Sequence, residues 1–295
     1  MPKRVAFEDI ATVTVIGAGT MGHGIAQVCA MAGYRTWLCD VDRAVAERAV
    51  ARVRANLDKG IARGKVTEAD RDAALARLAV ADSIGAAAAE SQLVIEAAPE
   101  KMDIKQALFR EAEETAPAGA LFGTNTSSLS IGGIASAVAD PGRVVGLHFF
   151  NPVHIMKLLE IVRHEHNDDA TIETCRRFAE RIGKTPVVVK DVPGFATSRL
   201  GVAVGLEAIR MVEEGVASAA DIDTAMRLGY GYPMGPLELS DLVGLDIRLH
   251  IADYLRDTLG ERFEAPALLR DMVAAGKLGK KSGEGFYRWV DGKKV

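Results

Sequence analysis

The chain has 295 residues and a formal net charge of −4, and 48% of its residues are hydrophobic, which suits one large or two ordinary domains with a sizeable core. The mildly acidic balance argues against nucleic acid or an anionic membrane as a partner, and no apolar segment reaches the roughly 18 residues of a membrane span. Three cysteines with neither metal-ligand nor CxxC spacing indicate reduced thiols, so we expect a soluble cytoplasmic protein.

The first half of the chain alternates short β-like segments with helical ones. We predict strands at Thr12–Ile16, Arg35–Cys39, Ser91–Ala97, Ala120–Gly123, Arg143–Phe149, Met156–Val162 and Pro186–Lys190. We predict helices at Ile25–Ala32, Asp42–Arg63, Asp103–Glu114, Ile131–Ala137 and Thr171–Ile182. Such alternation favours a doubly wound α/β domain, in which a parallel sheet is wrapped by helices.

After Asp191 the pattern changes to helices with apolar residues at helical spacing. We therefore predict a sheet domain over residues 1–190 and an all-helical second domain over residues 191–295. The segment Leu237–Leu255 is predicted as one helix that is apolar over more than one face. Helices of that kind are deeply buried or contact a partner chain, so we expect a homodimer formed through the second domain.

A glycine-rich segment, VTVIGAGTMGHGIAQ, joins the first strand to the first helix. Its Gly17-x-Gly19-x-x-Gly22 spacing permits a tight turn, a close approach of backbone to a pyrophosphate, and phosphate binding at the helix N-terminus. Asp40 ends the second strand, where a carboxylate hydrogen-bonds ribose hydroxyls and disfavours a 2′-phosphate. These features predict a Rossmann-type NAD-binding domain. The alternative is a chance turn in which Asp40 caps the next helix.

Two candidate catalytic side chains follow apolar strands. Ser127 and His148 are expected at the carboxyl ends of strands, the edge where ligands bind in a parallel sheet. The Asn151-Pro152 turn lets the chain return so that Glu160 faces His148. A carboxylate on one ring nitrogen fixes the tautomer and leaves the other nitrogen to accept a proton, as oxidation of an alcohol by hydride transfer requires. The alternative is a buried His–Glu pair with a structural role only.

The other histidines carry weaker signals. His164 and His166 flank Glu165 in a polar segment. The HEH spacing lacks a third ligand, so we expect a solvated loop and no metal site. His23, at the start of the first helix, is expected to pack near the cofactor.

Several longer motifs together resemble the L-3-hydroxyacyl-CoA dehydrogenase family and, within it, the small 3-hydroxybutyryl-CoA dehydrogenases. They are VIGAGTMGHGIAQ, VIEAAPE, TNTSSLSI, HFFNPVHIMKLLEIV, GKTPVVVKDVPGF and GKKSGEGFY, and the resemblance runs from about residue 11 to residue 289. It implies a Rossmann-type first domain, a helical dimerising second domain, and a cleft for acyl-CoA between them. It also implies NAD as cofactor and hydride transfer from C3 of an (S)-3-hydroxyacyl thioester, with no nucleic acid or membrane partner.

The resemblance also implies roles for individual residues. The catalytic dyad falls on His148 and Glu160, and Ser127 contacts the substrate. The residues expected at the cofactor are Gly17, Gly19, Thr20, Met21, Gly22, Asp40, Glu100, Lys105 and Asn125. The residues expected at the substrate, besides Ser127, are Asn151 and three on a cation-rich helix that suits the CoA phosphates, namely Asn56, Lys59 and Arg63; the alternative is a solvated helix face.

One position departs from the family pattern. Where the family has PGF-x-x-N-R, this chain has PGFATSR, so Ser198 replaces a catalytic-site asparagine. A hydroxyl offers one hydrogen-bond donor where an amide offers two.

Three functions are therefore compared. The first is an NAD-dependent short-chain 3-hydroxyacyl-CoA dehydrogenase of fatty-acid or butanoate metabolism. The second is a dehydrogenase of a free hydroxy acid or sugar acid on the same fold. The third is a non-catalytic, crystallin-like NAD-binding protein, which the Ser127, His148 and Glu160 set disfavours.

Overall fold

The computed structural model describes residues 3–295. They form two compact units that divide between Val192 and Pro193, close to the boundary expected near residue 190. Each unit has its own hydrophobic core. None of the helices in this described range is long and apolar enough to cross a membrane.

The first unit is built on one eight-stranded sheet. Its strands are β1 (Thr12–Ile16), β2 (Arg35–Cys39), β3 (Leu78–Val80), β4 (Leu93–Glu96), β5 (Leu121–Thr124), β6 (Val144–Phe149), β7 (Leu158–Arg163) and β8 (Thr185–Lys190). They lie in the order β3-β2-β1-β4-β5-β6-β7-β8. All five residues of β1 are buried, as expected for a central strand covered on both faces. The Rossmann-type sheet is confirmed.

Seven helices connect these strands. They are α1 (Gly22–Met31), α2 (Arg43–Ala62), α3 (Glu68–Arg77), α4 (Ile84–Ala88), α5 (Met102–Glu113), α6 (Ile131–Ala135) and α7 (Asp169–Arg181). The start of α2 is fixed by Asp42, whose side chain accepts a hydrogen bond from Ala44 N, a common N-cap arrangement. Asp40 is therefore not the cap of this helix, and that alternative for its role is wrong.

Two features of the sheet differ from the prediction. First, β7 runs antiparallel to β6 and parallel to β8, so the last two strands reverse the direction of the sheet. The connection between β6 and β7 is a short turn with a cis Asn151-Pro152 bond, and a parallel return needs a much longer crossover. Second, the sequence prediction missed α3, β3 and α4, because their Ala-rich segments carry little apolar periodicity.

The second unit is mainly helical. Its helices are α8 (Thr197–Glu213), α9 (Ala219–Gly229), α10 (Pro236–Val243), α11 (Leu245–Leu259) and α12 (Ala267–Ala274). The single helix predicted over Leu237–Leu255 is wrong, because Gly244 has a φ of +102° that is incompatible with a continuous helix and separates α10 from α11.

The segment after α12 contains a short 3₁₀ helix, Lys280–Ser282. It ends in a two-stranded antiparallel sheet of β9 (Trp289–Val290) and β10 (Lys293–Lys294). The buried carboxylate of Asp241 accepts hydrogen bonds from the indole of Trp289 and the amides of Phe286 and Tyr287, each at 2.9 Å. Three donors on one buried acid fix the tail to α10.

Candidate active site

The glycine loop between β1 and α1 has little room for side chains at two of its three glycines. Gly17 has a φ of +95°, and a Cβ there would lie 2.7 Å from the carbonyl oxygen of Ala97. A Cβ on Gly22 would lie 1.6 Å from the carbonyl oxygen of Gly17. Gly19 has open space around it, and Thr20 beside it is exposed. This arrangement leaves the backbone at Gly19 accessible for a close approach to phosphate, which fits a dinucleotide.

The acid after β2 is fixed against this loop. An Asp40 carboxylate oxygen accepts a hydrogen bond from Ala18 N at 2.7 Å. The next residue, Val41, is fully exposed, and sequence reasoning did not single it out. Arg52 of α2 donates to the carbonyl of Ala18 at 3.0 Å, so the loop is held from the strand and from the helix. Met21, half-buried, precedes α1.

His148 and Glu160 are directly opposite each other across the antiparallel β6–β7 pair. Nδ1 of His148 lies 2.8 Å from Oε2 of Glu160. The glutamate is fully buried and His148 is 7% exposed. If the carboxylate is the acceptor, Nδ1 carries the hydrogen, and in the neutral form of the ring the lone pair is then on Nε2. The His148 ring packs on Phe150 with centroids 4.4 Å apart.

Asn125 connects the ends of two neighbouring strands. It follows β5, and its Oδ1 accepts a hydrogen bond from Phe149 N at the end of β6, at 2.9 Å. The backbone N–H of Asn125 donates to the backbone carbonyl of Glu96 at the end of β4, at 2.8 Å. Asn125 therefore fixes the strand end that carries His148 relative to the segment that leads to Ser127.

The segment around Ser127 is held by one carboxylate. Oε1 of Glu100 accepts hydrogen bonds from the hydroxyl of Thr126 at 2.5 Å and the amide of Ser127 at 2.9 Å. The Ser127 hydroxyl lies 3.4 Å from the same oxygen. Burial alone would raise the pKa of Glu100, but the Lys105 ammonium and the hydrogen bonds from Thr126 and Ser127 outweigh it and hold the pKa below its usual value.

Lys105 is completely buried rather than at the surface. Its Nζ lies 2.8 and 3.0 Å from the two carboxylate oxygens of Glu96, and 3.5 Å from Glu100. Glu96 also accepts from the hydroxyl of Thr124 at 2.7 Å. Sequence reasoning gave Glu96 no role, although an acid that ends an apolar strand in VIEAAPE was a usable signal. Lys105 thus contacts the Ser127 segment only through Glu100.

Of the three residues expected at CoA, Asn56 and Lys59 are three residues apart on α2, and Arg63 is the residue that follows the C-terminal end of this helix. Asn56 donates to the side chain of Gln27 on α1 at 3.3 Å, whereas Lys59 and Arg63 are exposed. The ion pairs of α2 involve other residues, namely Arg43, Arg48 and Asp58. The C-terminal end of α2 therefore presents cations that are not neutralised by their own helix.

The remaining predicted residues lie on exposed or half-buried segments. Asn151 is exposed in the turn after β6. Ser198, half-buried, lies in the first turn of α8 in the second unit. Nδ1 of His23 lies 2.8 Å from the carbonyl oxygen of Gly19, so His23 contacts the glycine loop.

The expected solvated HEH loop is wrong for His164. This histidine is 5% exposed, and its Nε2 lies 3.0 Å from the carbonyl oxygen of Val144. The burial of His164 between exposed neighbours could not be predicted without the sheet. His164 directly follows β7 and is covered by the turn before β6. No group of three metal-ligating side chains occurs within residues 3–295.

Comparison with known proteins identifies the class. The NAD-binding domain of 3-hydroxyacyl-CoA dehydrogenase matches residues 12–192, and the C-terminal domain of the same family matches residues 194–289. With the glycine loop described above, the protein is an NAD-dependent dehydrogenase. The chain belongs to the 3-hydroxyacyl-CoA dehydrogenase family.

Individual relatives cover nearly the whole chain. It is 41% identical to mitochondrial hydroxyacyl-coenzyme A dehydrogenase of Rattus norvegicus over 95% of this chain and 91% of the relative. The crystal structure of (S)-3-hydroxybutyryl-CoA dehydrogenase from Ralstonia eutropha superposes with a TM-score of 0.92 at 38% identity, over 96% of this chain and 100% of that one. A 3-hydroxybutyryl-CoA dehydrogenase from Escherichia coli has the same TM-score at 41% identity, over 95% of this chain and 60% of that one.

Proposed function

We propose that this chain interconverts short-chain (S)-3-hydroxyacyl-CoA and 3-ketoacyl-CoA thioesters with NAD, through His148 as general base and acid. Two relatives named as 3-hydroxybutyryl-CoA dehydrogenases support the substrate class, at 38% and 41% identity. The observation that carries the proposal is the buried 2.8 Å contact between His148 Nδ1 and Glu160 Oε2, in the same unit as the glycine loop.

The pair is suited to moving one proton. Glu160 accepts the hydrogen of Nδ1 and so directs the Nε2 lone pair of His148 to the substrate hydroxyl. When Nε2 takes that proton, the ring becomes an imidazolium whose charge the buried carboxylate stabilises. In the reverse direction Nε2 returns the proton to the carbonyl oxygen. When bound, NAD⁺ supplies the nicotinamide ring that accepts the hydride from the alcohol carbon.

Other residues bind and orient. Gly17, Gly19 and Gly22 admit the pyrophosphate, and the Asp40 carboxylate accepts hydrogen bonds from ribose hydroxyls. The Ser127 hydroxyl donates a hydrogen bond to the substrate oxygen from a segment that Glu100 holds in place. Lys105 acts on that segment through Glu100 and is in this proposal a positioning residue.

A direct assay separates the three functions. Reduction of acetoacetyl-CoA with consumption of NADH supports the proposal, and a series of 3-ketoacyl-CoA substrates then gives the chain-length preference. Turnover of acetoacetate at equal or greater kcat/KM than acetoacetyl-CoA would favour a free-acid dehydrogenase. NADH binding without turnover of any of these substrates would favour the non-catalytic protein.

The cationic C-terminal end of α2 is proposed to bind the CoA phosphates through Lys59 and Arg63, with Asn56 beside them. The variant Arg63→Glu should raise KM for acetoacetyl-CoA about tenfold, because the reversed charge repels phosphate. The KM for NADH should stay unchanged, and Lys293→Glu, the same charge change in the second unit, is the matched control. An equal rise in both KM values would reject the assignment.

Ser198 is proposed to contact the substrate in place of the family's asparagine. If the pocket is built around serine, the bulkier side chain of Ser198→Asn lowers kcat/KM substantially. Unchanged or increased kcat/KM would show that the hydroxyl has no special role.

We also propose a homodimer formed through the helical unit and a cytoplasmic location. The support for the dimer is large apolar side chains at the surface of this unit, including Leu200 at 66% and Leu228 at 82% exposure. Sedimentation at micromolar concentration tests it, and a monomer there would refute it. Cell fractionation tests the location, which the buried thiols of Cys29, Cys39 and Cys175 favour.

A further inference from the structure

A second cationic surface on the first unit is lined by residues other than those proposed to bind CoA. It is a groove of about 270 Å³ formed by the end of α1, the segment between β6 and β7, and the turn between α7 and β8. Its polar side chains are His154, Lys157, Arg181 and Lys184. The charged residues that line this groove are therefore all cations, and none is a carboxylate.

Two of these cations have neutral hydrogen-bond partners. The guanidinium of Arg181 donates from Nε to the carbonyl oxygen of Ala32 at 3.1 Å. The ammonium of Lys184, which is 7% exposed, donates to the carbonyl oxygens of Val153 and, at 2.7 Å, Met156. These hydrogen bonds to carbonyl oxygens do not neutralise the positive charges of Arg181 and Lys184. The Lys184 ammonium has three N–H donors, and these two bonds use two of them.

Burial and the nearby positive charges disfavour further positive charge in the groove. Burial and the charge of Lys157 lower the pKa of Lys184 to about 8. Burial, and then the charges of His23, Lys184 and Lys59, lower the pKa of His154. Positive charges that lie close together without an acid raise the free energy of the folded protein, and a bound anion would offset that increase.

Apolar side chains border the same groove. Met31 is 42% exposed and Ile155 is 55% exposed, and both line it. An inorganic anion would leave these surfaces in water, whereas an anion with an apolar body covers them. A phosphate monoester carries about −1.5 to −2 charges at neutral pH and three acceptor oxygens, which matches several cations better than one carboxylate does.

We propose that this groove binds an organic phosphate, a phosphate monoester on a compact apolar group, through residues that the proposed CoA site does not use. The phosphate is held by Lys157, Arg181 and the buried Lys184, and the apolar group contacts Met31 and Ile155. Lys184 also hydrogen-bonds to the segment after the Asn151-Pro152 turn. A ligand that binds Lys184 therefore contacts a residue that holds the chain after His148 in place. The binding itself does not depend on the proposed dehydrogenase activity.

Calorimetric titration with phenyl phosphate, in the absence of cofactor and thioester, tests the proposal. We expect one site per chain, tighter for phenyl phosphate than for inorganic phosphate. Arg181→Glu and Lys157→Glu should each weaken phenyl phosphate about tenfold or more. Lys293→Glu, with the same charge change in the second unit, and Arg63→Glu should leave its affinity unchanged. Ile155→Asn should weaken the binding of phenyl phosphate and leave the binding of inorganic phosphate unchanged.

Three results would overturn the proposal. One is the absence of phenyl phosphate binding at millimolar concentration. Another is an equal loss of affinity in Lys293→Glu, which would show non-specific attraction. The third is loss of binding in Arg63→Glu, or competition by adenosine 3′,5′-bisphosphate, which would make the groove part of the CoA site. Thermal unfolding of each variant without ligand confirms that the exposed substitutions leave the fold intact.

Discussion

Two buried acid–base pairs of the first unit each include a glutamate from a strand of the sheet, and they differ in what surrounds them. Lys105 and Glu96 are both inaccessible to solvent, and the ammonium contacts two glutamates and the carbonyl of Ala98. In the other pair Glu160 is equally inaccessible, but the His148 side chain is 9% exposed. A fully enclosed pair has no access to a ligand, whereas a pair with one accessible partner can exchange a proton with one.

The largest expected effect is on catalysis by the second pair. His148→Gln should lower kcat/KM for acetoacetyl-CoA about 10²–10⁴-fold, because the amide can bond Glu160 but cannot accept a proton. Thermal unfolding should change little, since the substitution conserves size and polarity. His166→Gln, at an exposed histidine of the same unit, is the control for activity. A comparable loss of kcat/KM in both variants, or near-normal turnover in His148→Gln, would show that His148 is not the general base.

Substitution in the Lys105–Glu96 pair should affect the stability of the fold. Lys105→Met leaves Glu96 as a buried carboxylate without its cation, which should lower the free energy of unfolding by about 3–5 kcal/mol. Adding Glu96→Gln should restore part of that loss, because the uncompensated charge is removed. Denaturant unfolding measures both variants, with exposed Lys101→Met as control. A Lys105→Met protein as stable as the parent would show that the pair is not an important contribution to the fold.

Glu100 connects the first pair to the Ser127 segment and should have a smaller, pH-dependent effect. Since its folded pKa lies below the usual 4.5, its contribution to stability is present above pH 4.5 and is lost as the pH falls through the lowered pKa. Glu100→Gln should therefore cost about 1 kcal/mol at pH 7 and progressively less in acid. Unfolding curves from pH 7 to pH 3, with exposed Glu214→Gln as control, test this. A difference from the parent that does not shrink in acid would contradict it.

The sequence prediction agrees best with the structure at the first two strands. β1 and β2 were predicted to the residue, and the ends of β6 and α2 to within one residue, because continuous β-branched segments and a capping aspartate are local signals. The short α3–β3–α4 region was missed because its order depends on packing against α1 and β2 rather than on its own pattern. The single helix expected across Gly244 failed because a positive φ at one residue is set by neighbouring packing.

Site residues divide in the same way. Gly17, Gly22 and Asp40 were identifiable because tight turns and strand-end acids have a local signature. Glu96 was missed although it ends an apolar strand, and its contacts with Lys105 and Thr124 became visible only in the tertiary structure. His164 was taken for a solvated residue because a polar tripeptide has no local sign of burial.

The sequence by itself determined that a dinucleotide loop, a strand-end imidazole and a returning carboxylate exist in one α/β domain. It could do so because glycine spacing and apolar periodicity act over a few residues. The expectation that Glu160 faces His148 is confirmed, but only the tertiary structure gives the exact antiparallel register of β6 and β7 that pairs them. Only the tertiary structure also shows that the Lys105 ammonium is directed inward to Glu96. Register and side-chain direction depend on which surfaces are buried together, and those surfaces come from segments far apart in the chain.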